Sequence, residues 1–264
     1  MFKVFITSSV EKSISKSARL AEELGTGLEV SRLPGTHRLD TDFDGILNDL
    51  TNELTGFNGD VTFHALFSGL NPASKDMAIQ KIVEKRFQQS FVAGKLINAQ
   101  NIVFHSGNKG MKNKPSDDYF VEHSIIFWKE FIKQFEDADI HATLENISEY
   151  YPQVTKTVVD EVNSPYLNLT LDTGHANLTC DIDPSEWIKF FGKRLTHMHL
   201  HNNMKTNDDH AGFNYGTINF LRIFKTLKDE NLSPLLVLEI FNREQLVESL
   251  EIMKNFYSFS NSIA

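Results

Sequence analysis

The stretch LDTGHAN (residues 171–177) places two potential metal ligands, Asp172 and His175, three positions apart. They follow an apolar and β-branched run, residues 167–171, that is typical of a buried strand. A carboxylate and an imidazole at such a point are suited to holding a divalent cation or to moving protons. Gly174, between them, predicts a tight turn that lets His175 face the same pocket as Asp172.

Side chains of the same types occur at or near the ends of other strand-like runs. Glu145 lies in IHATLEN and Glu239 in LLVLEIF. The histidines and the loop residues that complete the set are His64, His105, His199, Asp208 and His210. Any one of these residues proves little, but their recurrence on successive strands predicts one shared site.

Strand-like runs alternate with amphipathic helical segments along the whole chain. The predicted strands cover 3–8, 27–33, 61–67, 101–107, 140–146, 166–175, 195–202 and 235–241. The predicted helices lie within 13–24, 42–54, 74–99, 117–137, 148–162, 184–193, 216–230 and 243–256. This alternation predicts an α/β fold with a parallel sheet, and eight units predict closure into a (β/α)8 TIM barrel, one domain of residues 1–264.

Barrel enzymes build their sites at the C-terminal ends of the strands, so these polar side chains are expected to converge on one mouth. Several carboxylates packed there would repel one another and lose hydration, and some would take up protons unless a cation were present. A divalent metal removes this conflict, and carboxylates and neutral histidines are its usual ligands. The sequence therefore predicts a metal site at the mouth, with Asp172 among its ligands.

Each of these residues also has an ordinary structural explanation. A histidine in a strand is more often a satisfied core residue than a ligand, and a strand glutamate such as Glu239 also fits a buried salt bridge. Asp208 and His210 would ordinarily be solvated loop residues. Three histidines share one face of the seventh strand, at positions 197, 199 and 201, and only His199 is expected to be a ligand.

Composition limits the class of partner and the compartment. The formal charge is −9 and the chain has no lysine or arginine run, which argues against a protein that mainly binds nucleic acid phosphates. The single cysteine, Cys180, excludes an intramolecular disulfide and suits a reducing compartment. The first residues lack the features of a signal peptide, and no stretch approaches the roughly 18 apolar residues of a membrane span. We therefore expect a cytoplasmic protein.

Seven stretches, taken in chain order, resemble motifs of the xylose isomerase-like barrel superfamily, which includes sugar isomerases, sugar epimerases and the endonuclease IV DNA-repair enzymes. They are GLEVSRL, VTFHALFSGLNP, NIVFHSG, TLENI, LDTGHAN, HMHLHNN with the trailing DDHAGFNYGTI, and VLEIF. The resemblance covers nearly the whole chain and implies a TIM barrel with a metal site.

The resemblance to the sugar epimerases implies one divalent ion, Mn²⁺, Mg²⁺, Co²⁺ or Zn²⁺, held by Glu145, Asp172, His199 and Glu239. The two glutamates would also be the catalytic pair that moves a proton on opposite faces of an enediolate. His175 and Lys205 match positions that contact the substrate. These correspondences imply a metal-dependent isomerase or epimerase of a small carbohydrate, which is a sugar, a sugar phosphate or a polyol ketone.

Endonuclease IV is the first alternative, because all nine of its ligands, which hold three zinc ions, have counterparts in this chain. These are His64, His105, Glu145, Asp172, His175, His199, Asp208, His210 and Glu239. Against it, GLEVSRL resembles the sugar-enzyme second strand, no arginine-rich DNA loop is evident, and HLHNN has asparagines where the nuclease motif has an acidic residue. A second alternative is a barrel that binds metal and carbohydrate without turnover. The oligomeric state is left open.

The charge predicts that this protein binds duplex DNA weakly at physiological salt and that any phosphate-driven affinity falls steeply as salt rises. Titration of plain and abasic duplexes across a salt series measures this affinity. Tight, salt-sensitive binding to the abasic duplex, with strand cleavage lost in His64→Ala and His105→Ala, would instead support the nuclease.

Overall fold

The computed structural model describes residues 2–110 and 117–261, and within these ranges eight parallel strands form a closed barrel. The strands are β1 (Val4–Thr7), β2 (Gly27–Val30), β3 (Val61–His64), β4 (Asn101–His105), β5 (His141–Glu145), β6 (Leu167–Asp172), β7 (Leu195–Leu200) and β8 (Leu235–Leu238). Each lies within one predicted strand, so the predicted TIM barrel is confirmed. Residues 1, 111–116 and 262–264 of the predicted domain lie outside the described residues.

Helices surround the barrel and connect successive strands. In the described ranges they are α1 (Ile14–Leu24), α2 (Phe43–Glu53), α3 (Met77–Leu96), α4 (Asp118–Phe131), α5 (Lys133–Ala138), α6 (Gln153–Val162), α7 (Thr173–Thr179), α8 (Pro184–Phe191), α9 (Phe220–Asp229) and α10 (Arg243–Asn261). The predicted helix over 117–137 is two helices that meet at Ile132, and α7 lies where the sequence predicts the end of the sixth strand. None of these helices is both long and apolar enough to cross a membrane.

The strand register determines which residues point into the barrel. Each strand pairs with the next, and β8 pairs with β1, where Phe5 is level with Val237. On the other side of β1, Thr7 is level with Glu29 of β2. Side chains alternate between the two faces of a strand, and level residues of parallel neighbours share a face. Thr7 and Glu29 therefore belong to one inward-facing layer near the C-terminal ends of the strands.

Apolar packing between the barrel and its helices carries most of the core. In α9, for example, Ile223, Phe224 and Leu227 are buried while Arg222 and Lys225 are exposed, the pattern of an amphipathic helix. Burying one large apolar side chain contributes about 1.5–3 kcal/mol. The packing between the barrel and its helices supplies most of the buried apolar contact. The mouth of the barrel can therefore hold polar side chains that add little to that contact.

A close approach between β1 and β2 generates a stability prediction. A Cβ atom at Gly27 would lie 2.4 Å from Cδ1 of Phe5 and 2.8 Å from the backbone oxygen of Asp60. Gly27→Ala should therefore lower the free energy of unfolding by about 1–3 kcal/mol, as overpacking of a filled core does. Urea denaturation at an unchanged m-value measures the difference. A variant as stable as the wild type would show that Phe5 moves aside without cost.

Candidate functional site

Four of the predicted ligands meet at the barrel mouth, where the C-terminal ends of the strands open. Glu145 and Asp172 are the last residues of β5 and β6. His199 is the last residue but one of β7, and Glu239 directly follows β8. One donor atom from each of the four lies within 4.8 Å of the others, and all four residues are buried.

His199 is at the centre of this group. Its Nδ1 lies 3.0 Å from Oε1 of Glu145, 3.2 Å from Oε2 of Glu239 and 3.6 Å from Oδ2 of Asp172. On the other side of the ring, Nε2 lies 2.9 Å from Oε1 of Glu29. In the neutral tautomer with its proton on Nε2, Glu29 accepts that proton and Nδ1 turns a lone pair towards three carboxylates. That arrangement requires either a second proton on the imidazole or a cation between the groups.

The electrostatics of the mouth follow from burial and from the neighbouring charges. Burial raises the pKa of Glu145, but the facing His199 holds it well below its ordinary value. Neighbouring histidines, His175 first, likewise hold the pKa of Asp172 well below its ordinary value against the effect of burial. Burial lowers the pKa of His199, and the carboxylates around it, Glu239 first, hold it well above its ordinary value. No lysine or arginine is buried in the described ranges, so histidines alone balance the carboxylates.

The donor set fits a divalent cation. Carboxylates and imidazole are ligands for Mn²⁺, Mg²⁺, Co²⁺ and Zn²⁺. Ligand bonds of about 2.0–2.2 Å allow opposed donors to lie about 4.4 Å apart. The four donor atoms lie within 4.8 Å of one another, which is close to the spread that such bonds allow. A divalent ion would take over the charge compensation that protonated histidines otherwise provide.

Two further predicted residues, His64 and His105, face Glu145 from β3 and β4. Their Nε2 atoms lie 3.2 Å and 3.4 Å from Oε2 of Glu145, and the three residues form a second candidate metal group. His64 donates from Nδ1 to the backbone oxygen of Ala65 at 2.9 Å, so the lone pair of Nε2 faces the carboxylate when the ring is neutral. Burial lowers the pKa of His105 to about 3, so this ring is neutral at neutral pH.

The remaining predicted residues, His175, Asp208 and His210, lie together at the rim. The Nε2 atoms of the two histidines each lie 3.2 Å from Oδ2 of Asp208. Their Nδ1 atoms donate to the backbone oxygens of Asn146, at 3.1 Å, and of Glu239, at 3.0 Å. The structure therefore brings all nine predicted positions to one mouth.

The structure corrects the predicted tight turn at Gly174. β6 ends at Asp172, whose Oδ1 accepts the backbone N–H of His175 at 2.7 Å and caps the first turn of α7. A Cβ atom at Gly174 would lie 2.0 Å from Cε1 of His201. Glycine is needed here because an imidazole packs directly against its α-carbon. His175 faces the mouth from the first turn of a helix.

Two residues that the sequence does not single out as ligands, Glu29 and His201, contact predicted ligands. Glu29 accepts from His199, as described above, and Nε2 of His201 lies 3.0 Å from Oδ2 of Asp172. Both side chains are fully buried. The signal for Glu29 was available in the sequence, because a glutamate inside the apolar strand GLEV is the same pattern as Glu239 in LLVLEIF.

Lys205, the predicted substrate contact, lies in the exposed loop after β7. Its φ is 62°, and its backbone N–H donates to Oδ1 of Asn203 at 3.0 Å. Asn203 in turn donates to the backbone oxygen of Gly174 at 2.8 Å, which anchors the start of the loop to α7. The role of the Lys205 ammonium in substrate binding stays a prediction.

Residues 18–256 match the family described as xylose isomerase-like TIM barrel. The chain belongs to this family. Uncharacterized protein MJ1311 of Methanocaldococcus jannaschii is 26% identical to it over 269 residues, which cover 98% of this chain and 88% of that protein.

Two solved structures show the same fold as this chain. A D-tagatose 3-epimerase-like protein superposes with a TM-score of 0.82 at 23% identity and covers 99% of this chain and 100% of its own. D-allulose 3-epimerase from Methylomonas sp., in complex with D-allulose, superposes with a TM-score of 0.70 at 17% identity and covers 89% of this chain and 83% of its own. At these identities the likeness establishes the shared barrel.

The raised histidine pKa values predict that metal-free protein loses stability as pH rises. Burial lowers the pKa of His210, but the hydrogen bond to Asp208 raises it to about 9, above the value of about 6.5 in an unfolded chain. A raised folded-state pKa contributes stability that is complete below about pH 6.5 and disappears as pH rises to about 9. The pKa values of His175 and His199 are also raised above the ordinary value. The melting temperature of chelator-treated protein should therefore fall across this range.

The control for this pH dependence is a histidine far from the mouth. His210→Gln should flatten the fall in melting temperature, whereas His141→Gln, which alters an exposed side chain, should leave it unchanged. Added Zn²⁺ or Mn²⁺ should stabilise the wild type increasingly over the same range, because metal and protons compete for the same atoms. A flat pH profile, no stabilisation by either ion and no metal by elemental analysis would contradict the candidate site.

Proposed function

We propose that this protein is a metal-dependent isomerase or epimerase of a sugar, a sugar phosphate or a related polyol ketone. The observation that carries the proposal is the approach of two glutamates to one cation site from separate strands. Glu145 ends β5 and Glu239 follows β8, yet both carboxylates lie within 3.2 Å of Nδ1 of His199. A substrate bound at this site lies between two groups that can accept or return a proton.

A bound divalent ion polarises the carbonyl and hydroxyl oxygens of a substrate and thereby acidifies the neighbouring C–H bond. The surroundings of Glu145 keep its carboxylate ionised, so this group is deprotonated before it accepts that proton. Glu239, which starts the cycle protonated and approaches from another strand, would then give a proton to the other face of the same carbon or to its neighbour. The first outcome is epimerisation. The second is isomerisation, in which the hydroxyl proton on the first carbon also moves to the former carbonyl oxygen. In both cases Glu145 ends protonated and Glu239 ionised, and proton exchange with solvent restores the pair.

The ends of β1 and β2 support a hydroxyl-rich substrate. Oγ of Ser31 lies 3.1 Å from Oγ1 of Thr7, 3.0 Å from Oγ of Ser8 and 2.8 Å from Oγ of Ser9. Hydroxyl groups both donate and accept hydrogen bonds, so this cluster can exchange its internal bonds for bonds to a polyol. Membership of the family and the fold shared with a ketose-bound epimerase support the same substrate class.

A zinc-dependent phosphodiesterase acting at abasic DNA is the second candidate, and the two histidine pairs favour it. His64 and His105 face Glu145, while His175 and His210 face Asp208. Each pair would suit a further cation. The number of metal ions per chain separates the candidates, because one ion supports the sugar enzyme and three support the phosphodiesterase. A barrel that binds without turnover would hold metal but exchange no substrate proton.

The proton transfer itself is the test of the proposed reaction. Incubation with a panel of free and phosphorylated ketoses in deuterated water should place label at the carbon beside the carbonyl. Glu145→Gln and Glu239→Gln should each slow this exchange about 10²–10⁴-fold, the usual contribution of a positioned acid or base. Mass spectrometry or proton NMR follows the label.

Metal loss is the main confounding effect, because both glutamates are also proposed ligands. Asp172→Asn is the matched control, since this variant changes a proposed ligand outside the proton-transfer pair. At equal metal occupancy it should recover most of the exchange, whereas the two glutamine variants should not. Exchange that persists in both glutamine variants would show that the acid and base lie elsewhere. No exchange with any ketose at a filled site would favour the nuclease or the binding-only barrel.

A further inference from the structure

Glu29 is a buried carboxylate that the proposed proton transfer does not use. It lies within β2, and its side chain is fully buried. It contacts the Nε2 side of His199, whereas the proposed ligands Glu145, Asp172 and Glu239 face the Nδ1 side. A carboxylate in such a position is costly to bury unless its oxygens are paired.

Both oxygens of Glu29 are engaged. Oε1 lies 2.9 Å from Nε2 of His199. Oε2 accepts the hydroxyl proton of Thr62 at 3.0 Å and lies 3.2 Å from Nε2 of His197. The carboxylate is therefore tied by hydrogen bonds to Thr62 of β3 and to His199 of β7, which prevents it from rotating away from the ring.

A cation and Glu29 together determine which nitrogen of His199 carries the proton. With a cation on the Nδ1 side, the neutral imidazole carries its one proton on Nε2, where Glu29 accepts it at 2.9 Å. The lone pair is then on Nδ1, which points at Glu145 and Glu239. The opposite tautomer would turn a lone pair towards Glu29 and place a proton where a cation would bind.

We propose that Glu29 is a positioning residue that holds the ring of His199 in its metal-binding tautomer and orientation and thereby sets the metal affinity of the mouth. The inference rests on the proposed metal-dependent function. A carboxylate behind a histidine ligand fixes the tautomer and raises the basicity of the ligating nitrogen, and its loss typically lowers metal affinity 10–100-fold.

Glu149 provides a matched control. This glutamate is also buried, and it accepts hydrogen bonds from the hydroxyls of Ser106 and Thr155 and from the backbone N–H groups of Ile147 and Ser148. Its partners are thus hydroxyls and amides, whereas those of Glu29 include the imidazole of His199. Glu149→Gln should perturb a buried carboxylate near the mouth without altering His199.

The experiment measures Zn²⁺ affinity by competition with a chromophoric chelator for the wild type, Glu29→Gln and Glu149→Gln. Glu29→Gln should raise the Zn²⁺ Kd about 10- to 100-fold, while Glu149→Gln should stay within about twofold of the wild type. Thermal melts of the chelated proteins show whether each variant is folded. In the zinc-loaded wild type, two-bond ¹H–¹⁵N spectra should show His199 with its proton on Nε2, a readout that needs no variant.

Three results would overturn the inference. Glu29→Gln could bind Zn²⁺ as tightly as the wild type, Glu149→Gln could lose as much affinity as Glu29→Gln, or wild-type His199 could carry its proton on Nδ1. Each of these leaves the proposed function intact, provided that the wild type binds metal and exchanges a ketose proton. Conversely, a filled site that exchanges no ketose proton would contradict the proposed function without affecting the role of Glu29.

Discussion

The repulsion between carboxylates buried at the barrel mouth is the constraint on which the rest of the site depends. Glu29, Glu145, Asp172 and Glu239 are all buried, and no buried lysine or arginine in the described ranges balances them. In a medium of low polarity such a group is stable only with protons, hydrogen bonds or a cation. The histidines meet this requirement in the absence of metal, and the same geometry makes them suitable ligands when metal binds.

The histidines share a local arrangement that follows from this constraint. His64, His175 and His210 each donate from Nδ1 to a backbone oxygen and turn Nε2 towards a carboxylate. His199 uses the reverse arrangement, with Nε2 on Glu29 and Nδ1 towards the other carboxylates. In each of these four rings, one nitrogen is held by a hydrogen bond within the protein and the other faces the carboxylates of the mouth. Histidine ligands are usually oriented in this way in metalloproteins.

The fold supports this polar mouth without determining its chemistry. Barrels of this type host many reactions, so function has to be argued from the site. Two glutamates around one cation suit proton transfer on a ketose, while additional histidine pairs suit further cations and phosphate chemistry. The two candidate functions therefore use overlapping residues, and they differ in how many of the nine positions hold metal at once.

The local pattern of the sequence determined the elements and the kind of site. Apolar and β-branched runs predicted all eight strands, and polar residues at strand ends, such as Glu145 and Asp172, predicted the mouth, because both signals are local properties of the sequence. Tertiary structure alone decided which side chains meet. Glu29 contacts His199 only because closure of the barrel brings β2 towards β7, strands that are not neighbours. Gly174 is required only because His201 packs against it, a contact between chain positions 27 residues apart that no local pattern encodes.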